Sequence, residues 1–365
     1  MPPTAEALKQ PAKTVRHILE RAASGERITP EECLVLCREG DLLSLGNAAD
    51  RRRKHLHPER IVTYIVDRNI NYTNACVAYC KFCAFYRPPK DREVYVLSRE
   101  IFTQKIQELV DVGGVQILLQ GGHHPTLKFE WYEDLLRWIK SRWNIVIHGF
   151  SSPEIQHFSK LYKLPVREII RRLKAAGLDT VPGGGAEILS DRIRSSMARN
   201  RCSTQEWLDV HRAAHELGMR STCTMVIGCL ESIEERVEHL RLLRELQDAT
   251  HGFTAFIMWT MQTEHTEIPE IPMVGGHEYL RTQAIARLFL DNVDNLQSSW
   301  VTQGHEIGQL ALRFGSNDMG GTMMEENVVS QAGTTYFMDE PKIRALIEGA
   351  GFLPKRRNTT YQILE

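Results

Sequence analysis

The chain has 365 residues, with 45 Lys and Arg against 46 Asp and Glu, for a net charge of −1. That balance excludes nucleic-acid binding as a global property. No apolar run approaches the ~18 residues of a membrane span, and no signal peptide opens the chain, so a cytoplasmic protein is expected. The length suits one large domain, such as a parallel barrel of about 250 residues with extensions, or two small ones.

Residues 1–60 read as helices outside the main domain. Thr29-Pro30-Glu31-Glu32 is a helix start, with a hydroxyl cap, proline at the first position and glutamate at the third. Cys33 and Cys37 lie four apart, on one helix face. The run Arg51-Arg52-Arg53-Lys54 reads as a solvated helix face.

Eight strand candidates follow, at 61–66, 115–119, 144–148, 178–182, 221–227, 253–258, 297–301 and 312–314. Helical patterns separate them at 101–112, 130–142, 166–176, 204–217, 232–248 and 277–293, with a second capping box at Ser203-Thr204-Gln205-Glu206. Apolar runs alternating with amphipathic helices predict parallel strands joined by helical crossovers. The expected architecture is α/β: a (βα)8 TIM-like barrel over 61–335, the helical extension over 1–60, and a C-terminal docking helix within 336–365. Ile343, Leu346 and Ile347 mark the apolar face of that helix.

The first strand leads into Asn74-Ala75-Cys76-Val77-Ala78-Tyr79-Cys80-Lys81-Phe82-Cys83, which places three thiols in one short loop. Three thiolates can hold three corners of a 4Fe–4S cubane and leave one iron open to a second molecule. A structural zinc site asks for a fourth ligand. The next histidines, His123 and His124, stand about forty residues on. The five other cysteines are scattered, and read as packed thiols.

In a barrel, functional groups sit just past the C-terminal ends of strands. Polar and glycine-rich loops occur there: Gly121-Gly122-His123, Ser151-Ser152-Pro153-Glu154, Gly183-Gly184-Gly185-Ala186-Glu187 and Gly228-Cys229-Leu230-Glu231. Glycine lets backbone approach a ligand, and loop N–H groups can bind a carboxylate. The triple glycine lacks the Lys-Ser/Thr ending of a phosphate loop. Glu231 could simply cap the helix that begins near Ser232.

The Cys-x3-Cys-x2-Cys spacing, with Phe82 before the last cysteine, resembles the radical S-adenosylmethionine (SAM) enzymes. Asn71-Tyr72-Thr73-Asn74, Phe82-Cys83-Ala84-Phe85-Tyr86-Arg87 and Gln120-Gly121-Gly122-His123-His124-Pro125 resemble the branch acting on menaquinone and deazaflavin precursors, its futalosine-cyclising members most of all. The resemblance runs from about Leu42 to Tyr361.

It implies that Cys76, Cys80 and Cys83 hold a 4Fe–4S cluster whose open iron binds SAM, and that a 5′-deoxyadenosyl radical results. It further implies Gly121 and Gly122 at the methionyl amine, Glu187 at the ribose or methionyl group, and the backbone at Gly228 near adenine. The implied substrate is dehypoxanthine futalosine. Its ribose C4′ hydrogen is abstracted, and the C4′ radical adds to the benzoate ring. A reductant such as flavodoxin or ferredoxin is implied as partner.

For the substrate side, polar residues past the late strands are the candidates. Trp259-Thr260-Met261-Gln262, Gln303, His305, Asn317, Asp318, Glu325 and Asn327 belong to this set. Arg313 is the expected partner of the substrate carboxylate, and His123 or Glu326 the expected base. Arg313 in a structural ion pair and His305 as a helix cap are the competing readings. Two other functions stay open at this level: a sister radical enzyme forming aminofutalosine or a deazaflavin, and a structural iron–sulfur or zinc protein.

Overall fold

The computed structural model describes residues 9–364. Ten strands form one sheet, and every pair in it is parallel. They are β1 (Ile61–Ile65), β2 (Asp67–Asn71), β3 (Gln116–Gln120), β4 (Val146–Gly149), β5 (Thr180–Val181), β6 (Arg220–Ile227), β7 (Phe253–Thr260), β8 (Asn295–Gln297), β9 (Asp318–Gly321) and β10 (Leu353–Arg356).

The sheet order is β10-β1-β9-β8-β7-β6-β5-β4-β3-β2. Only Val66 separates β1 from β2, so these two make one extended run. That run is bonded on both edges: Thr322 N–H donates to Ile65 O at 3.0 Å, and Val115 N–H to Val66 O at 3.1 Å. The two ends of the sheet therefore meet in a single run, and the ring closes with eight strand positions. β10 is an added strand beside β1, at the N-terminal end of the seam with β3. Its Arg356 reaches Gly113 O, next to the start of β3, at 3.2 Å.

Local chemistry sets the helices where the sequence predicts them. Thr29 receives Glu32 N–H at 3.2 Å and Glu32 receives Thr29 N–H at 2.9 Å, starting helix Pro30–Glu39. Ser203 and Ser232 make the same reciprocal cap for Thr204–Glu216 and Ile233–Thr250. The helix Val166–Ala176 stops at Gly177, whose φ of 121° suits glycine. Among the described residues, no helix is long and apolar enough to cross a membrane.

The N-terminal helices Lys9–Ser24, Pro30–Glu39 and Leu42–Leu56 pack on the barrel helices Gly276–Phe289 and Ile233–Thr250. The basic run is only half solvated. Arg51 and Lys54 are exposed, but Arg52 and Arg53 are buried. Arg53 stacks over the Phe352 ring at 4.4 Å, joining this extension to the C-terminal segment.

Two strand expectations are corrected. The seventh strand is 295–297, and Trp300–Gln303 is helical. Residues 312–314 are a turn closing helix His305–Ala311, and the eighth barrel strand is β9. The sequence Asp-Met-Gly-Gly carries no β-branched residue, so it gives no strand signal. Its glycine is required by packing: a Cβ on Gly321 would stand 2.2 Å from Asp67 Oδ1.

Candidate active site

The cysteine loop follows β2 and is pinned from several sides. Asn74 takes Tyr95 N–H at 2.9 Å and gives its amide to Glu93 O at 3.0 Å. Cys76 N–H donates to Arg87 O at 3.0 Å, and Val77 N–H to His123 O at 3.2 Å. The far side docks on residues 197–200: Lys81 N–H donates to Met197 O at 2.9 Å and Asn200 N–H to Ala78 O at 3.3 Å.

Cys76, Cys80 and Cys83 line one chamber of about 210 Å³, together with Gly121, Gly122, His123, Glu154 and Arg201. Among the described residues, no three His, Cys, Asp or Glu converge on one point as ligands of a single ion would. Zinc needs its thiolates about 2.3 Å from one centre, whereas a cubane takes one thiolate at each iron corner. Three thiols lining one chamber meet the cubane's need for one thiolate at each of three corners. Burial raises all three thiol pKa values, Cys80 to about 12, so the loop favours thiolates only with a positive centre beside it.

The loops past β3, β4 and β5 border this space. Glycine is sterically required at the first. A Cβ on Gly122 would meet Ala75 O at 2.2 Å, and one on Gly121 would meet the Tyr72 ring at 2.6 Å. Expected anion-binding N–H groups are already used. Gly122 donates to Thr73 O at 2.9 Å, Gly121 to Glu154 Oε1 at 3.1 Å, Gly183 to Thr222 Oγ1 at 2.9 Å and Gly228 to Glu231 Oε1 at 2.9 Å. The diglycine loop therefore has only carbonyl oxygen to offer an ammonium group, and Gly122 O already accepts His124 N–H at 2.9 Å.

Glu154 is the buried hub of the second loop. It also accepts from Tyr72 Oη at 2.7 Å, and from Ser151 N–H and Oγ at 2.8 and 2.7 Å. Burial nevertheless lifts its pKa to about 7.

A residue with no signal in the sequence completes the site. Arg201 Nη2 binds Glu187 Oε1 at 2.6 Å, its Nη1 lies 3.5 Å from Cys80 Sγ, and its guanidinium stands 5.1 Å from the Phe82 ring. Burial opposes the charge, yet Glu187 and the loop thiols hold its pKa above the ordinary value. Arg201 Nε and Glu187 Oε2 are both buried without a partner. Such an adjacent donor and acceptor match a carboxylate and an ammonium, the two charged groups of an amino acid. The residues present thus fit a cluster with SAM bound beside it. Cys76, Cys80 and Cys83 would hold the iron, Arg201 the carboxylate, and Glu187 with the diglycine loop the amine.

Two further chambers adjoin the first. One, of about 140 Å³, is lined by Phe82, Glu187, Val226, Trp259, Met261 and Gln262. The other, of about 110 Å³, fills the barrel interior between Asp67, Gln116, His148, Gln297, Arg357 and Tyr361. Gln120 and Gly184 line both the cluster chamber and the interior. Phe82, Gly185 and Val328 join the cluster chamber to the side chamber, and Thr224 and Trp259 join the side chamber to the interior. The three chambers are thus neighbours that share these lining residues.

Several sequence candidates fall elsewhere. Arg313 lies at the opposite end, between helix His305–Ala311 and β9; it donates to Ala350 O at 2.5 Å and stacks over Phe352 at 4.4 Å. It is held by backbone and ring, and lines none of the three chambers where a substrate carboxylate was expected. Glu326 accepts Val328, Val329 and Ser330 N–H at 3.0, 2.8 and 2.8 Å, so it caps its own loop and lines none of the three chambers. Asn317 is bound by Arg287 at 2.7 Å, and Asp318 is paired with Arg357. Gly228 lies behind the wall: with φ of 92°, its Cβ would meet Val274 at 2.8 Å. Glu231 binds the Gly228 and Cys229 N–H groups, and Ser232 is the helix cap.

His123 does line the cluster chamber. It stacks on His157 at 4.9 Å, and burial holds its pKa well below the ordinary value.

Fold and site together are those of a radical SAM protein. Residues 70–243 match the radical SAM superfamily and residues 250–365 match the CofH/MqnC C-terminal region. A cyclic dehypoxanthine futalosine synthase from Halalkalibacterium halodurans is 47% identical over 348 residues, 95% of this chain and 94% of that protein. An aminodeoxyfutalosine synthase from Thermus thermophilus is 37% identical over 354 residues, 94% of each chain. The crystal structure of methylornithine synthase superposes with a TM-score of 0.74 at 16% identity, over 93% of this chain and 97% of that one, and shares the fold. The chain belongs to the radical SAM superfamily, within the group that carries the CofH/MqnC C-terminal region.

Proposed function

We propose that this protein cyclises dehypoxanthine futalosine to its cyclic form by radical SAM chemistry, as a step of menaquinone synthesis in the cytoplasm. The observation that carries the reading is the Cys76–Cys80–Cys83 chamber, beside the unsatisfied Glu187–Arg201 pair, which shares Gln120 and Gly184 with the chamber of the barrel interior. The 47% identity to a synthase of that name over 95% of the chain selects the substrate.

When bound, the reduced cluster and SAM supply a 5′-deoxyadenosyl radical. The protein's own tasks are positioning and exclusion. Arg201 and Glu187 orient the amino acid end. Phe82, Val226, Trp259 and Met261 give the side chamber an apolar wall that keeps water from a reactive carbon. The interior holds ribose and benzoate in contact, so that C4′ bonds to the ring. A low-potential carrier such as flavodoxin or ferredoxin supplies the electron.

The test is anaerobic turnover of reconstituted protein with reductant, SAM and dehypoxanthine futalosine. The expected nucleoside product is two hydrogens lighter, and deuterium at C4′ appears in 5′-deoxyadenosine. Formation of 5′-deoxyadenosine with dehypoxanthine futalosine unchanged, but with a sister enzyme's substrate consumed, overturns the substrate assignment. No SAM cleavage by cluster-loaded protein overturns the radical reading.

A further inference from the structure

The barrel interior contains two buried aspartates with opposite surroundings. Asp318 is saturated. Its oxygens take Arg357 at 2.5 and 2.9 Å, Thr63 Oγ1 at 2.5 Å and Gly320 N–H at 2.8 Å. Asp67 is not. Its Oδ1 accepts Met323 N–H at 3.0 Å, and its Oδ2 has the Gln116 amide at 3.3 Å. A carboxylate offers about four acceptor sites, so Asp67 keeps acceptor capacity while lining the inner chamber.

Its setting is specific. Asp67 is 6% exposed and opens β2, on the run that leads to the cysteine loop. Gly321 stands against it, where a Cβ would come within 2.2 Å of Oδ1. From β3 the facing group is neutral Gln116, from β4 it is His148, from β9 it is Asp318, and from the tail Arg357 and Tyr361.

We propose that Asp67 accepts the proton that the benzoate ring releases after the new carbon–carbon bond has closed. This rests on the cyclisation reading. In that reaction the C4′ hydrogen atom leaves to the 5′-deoxyadenosyl carbon, and the C4′ radical forms a bond to a ring carbon. The ring carbon still carries its hydrogen, and one unpaired electron is spread over the ring. Breaking that C–H bond sends the proton to Asp67. Of the three electrons then present, two restore the aromatic system and one leaves to a one-electron acceptor of the iron–sulfur class. The product is two hydrogens lighter than the substrate.

The other bases nearby are less suited. His148 gives Nδ1 to Thr180 at 2.7 Å, and burial beside Arg357 holds its pKa down to about 3. His123 lines the cluster chamber and not the interior. Burial lifts Asp67 to about 6, closer to the working pH that favours a general base.

The experiment uses the reconstituted holoenzyme and its Asp67→Asn and Asp67→Glu variants, with C4′-deuterated substrate. Iron content and thermal melting establish that each variant is loaded and folded. For Asp67→Asn, deuterium transfer into 5′-deoxyadenosine is expected to stay within about 3-fold of wild type. Cyclised product per 5′-deoxyadenosine is expected to fall ~10²-fold. Asp67→Glu restores part of that ratio, and the wild-type ratio falls below about pH 6. An unchanged ratio in Asp67→Asn overturns the proposal and leaves the cyclisation reading intact. So does loss of deuterium transfer and product together, which places Asp67 before ring closure. If Asp67→Asn loads poorly, the Asp67→Glu ratio and the wild-type pH profile decide, a flat profile from pH 5 to 8 overturning the assignment. Absence of C4′ deuterium transfer in wild type instead overturns the cyclisation reading itself.

Discussion

Arg201 and Glu187 form a 2.6 Å ion pair in which each partner keeps one buried, unsatisfied polar atom. The two lie on loops 14 residues apart in sequence and meet over Phe82 and Cys80. Leaving those atoms unpaired is costly, so a zwitterionic ligand that satisfies both gains affinity. Arg201→Lys keeps the charge but loses the planar fork. SAM affinity of the cluster-loaded protein is expected to fall at least ~10-fold, about 1.4 kcal/mol. Calorimetric titration checks it, and an unchanged Kd removes Arg201 from the ligand set.

Gly122→Ala puts a methyl group 2.2 Å from Ala75 O and 3.0 Å from Cys76 Cβ. Backbone must shift, at about 1–3 kcal/mol of stability. Because the displaced residues begin the cysteine loop, iron per chain after reconstitution should fall as well. Full iron loading with an unchanged melting temperature would contradict the close approach.

Glu154 imposes a pH dependence on stability. Its folded pKa is raised from 4.5 to about 7, by burial above all. Between those values the unfolded chain gives up this proton first. Stability is therefore full below about pH 4.5 and is lost as pH rises through about 7, by up to about 1.4 kcal/mol per unit. Glu154→Gln should flatten this part of the curve, measured by urea unfolding of both proteins at pH 5 and 7.5. Parallel curves would show that Glu154 does not titrate there.

Asp318 and Arg357 are 0% and 3% exposed, and their ion pair anchors the C-terminal tail inside the barrel. Asp318→Ala leaves a buried guanidinium without its partner, at about 3–5 kcal/mol. Thermal denaturation should show a large fall in melting temperature, and a shift under 2 °C would mean that the tail is held by other contacts.

Arg313→Ala separates the two readings of that residue. Its contacts are Ala350 O and the Phe352 ring, remote from the chambers. The expected loss is about 1 kcal/mol of stability, with KM for the nucleoside unchanged. A raised KM with unchanged stability would return Arg313 to the substrate site.

Much of the fold was written locally. Hydroxyl caps at Thr29, Ser203 and Ser232 start helices through bonds spanning three residues, so their positions follow from short sequence windows. The long strand β7 is a nearly continuous apolar run, as buried parallel strands are. The cysteine loop was legible for the same reason: three thiols lie within eight residues. By contrast, β9 reads as Asp-Met-Gly-Gly, because its glycine answers a clash with Asp67, far away in sequence.

The sequence by itself determined the helix starts, the alternation of strands and helices through β7, and the thiol triplet, since each depends on neighbours a few residues apart. Only the tertiary structure decided which charged side chains face the cavity. Arg313 and Glu326 looked available but satisfy nearby backbone. Arg201, Asp67 and Arg357 carry no local signal, and closure of the barrel brings them to the chambers. Burial then fixes their chemistry, because the cost of an unpaired charge depends on everything packed around it.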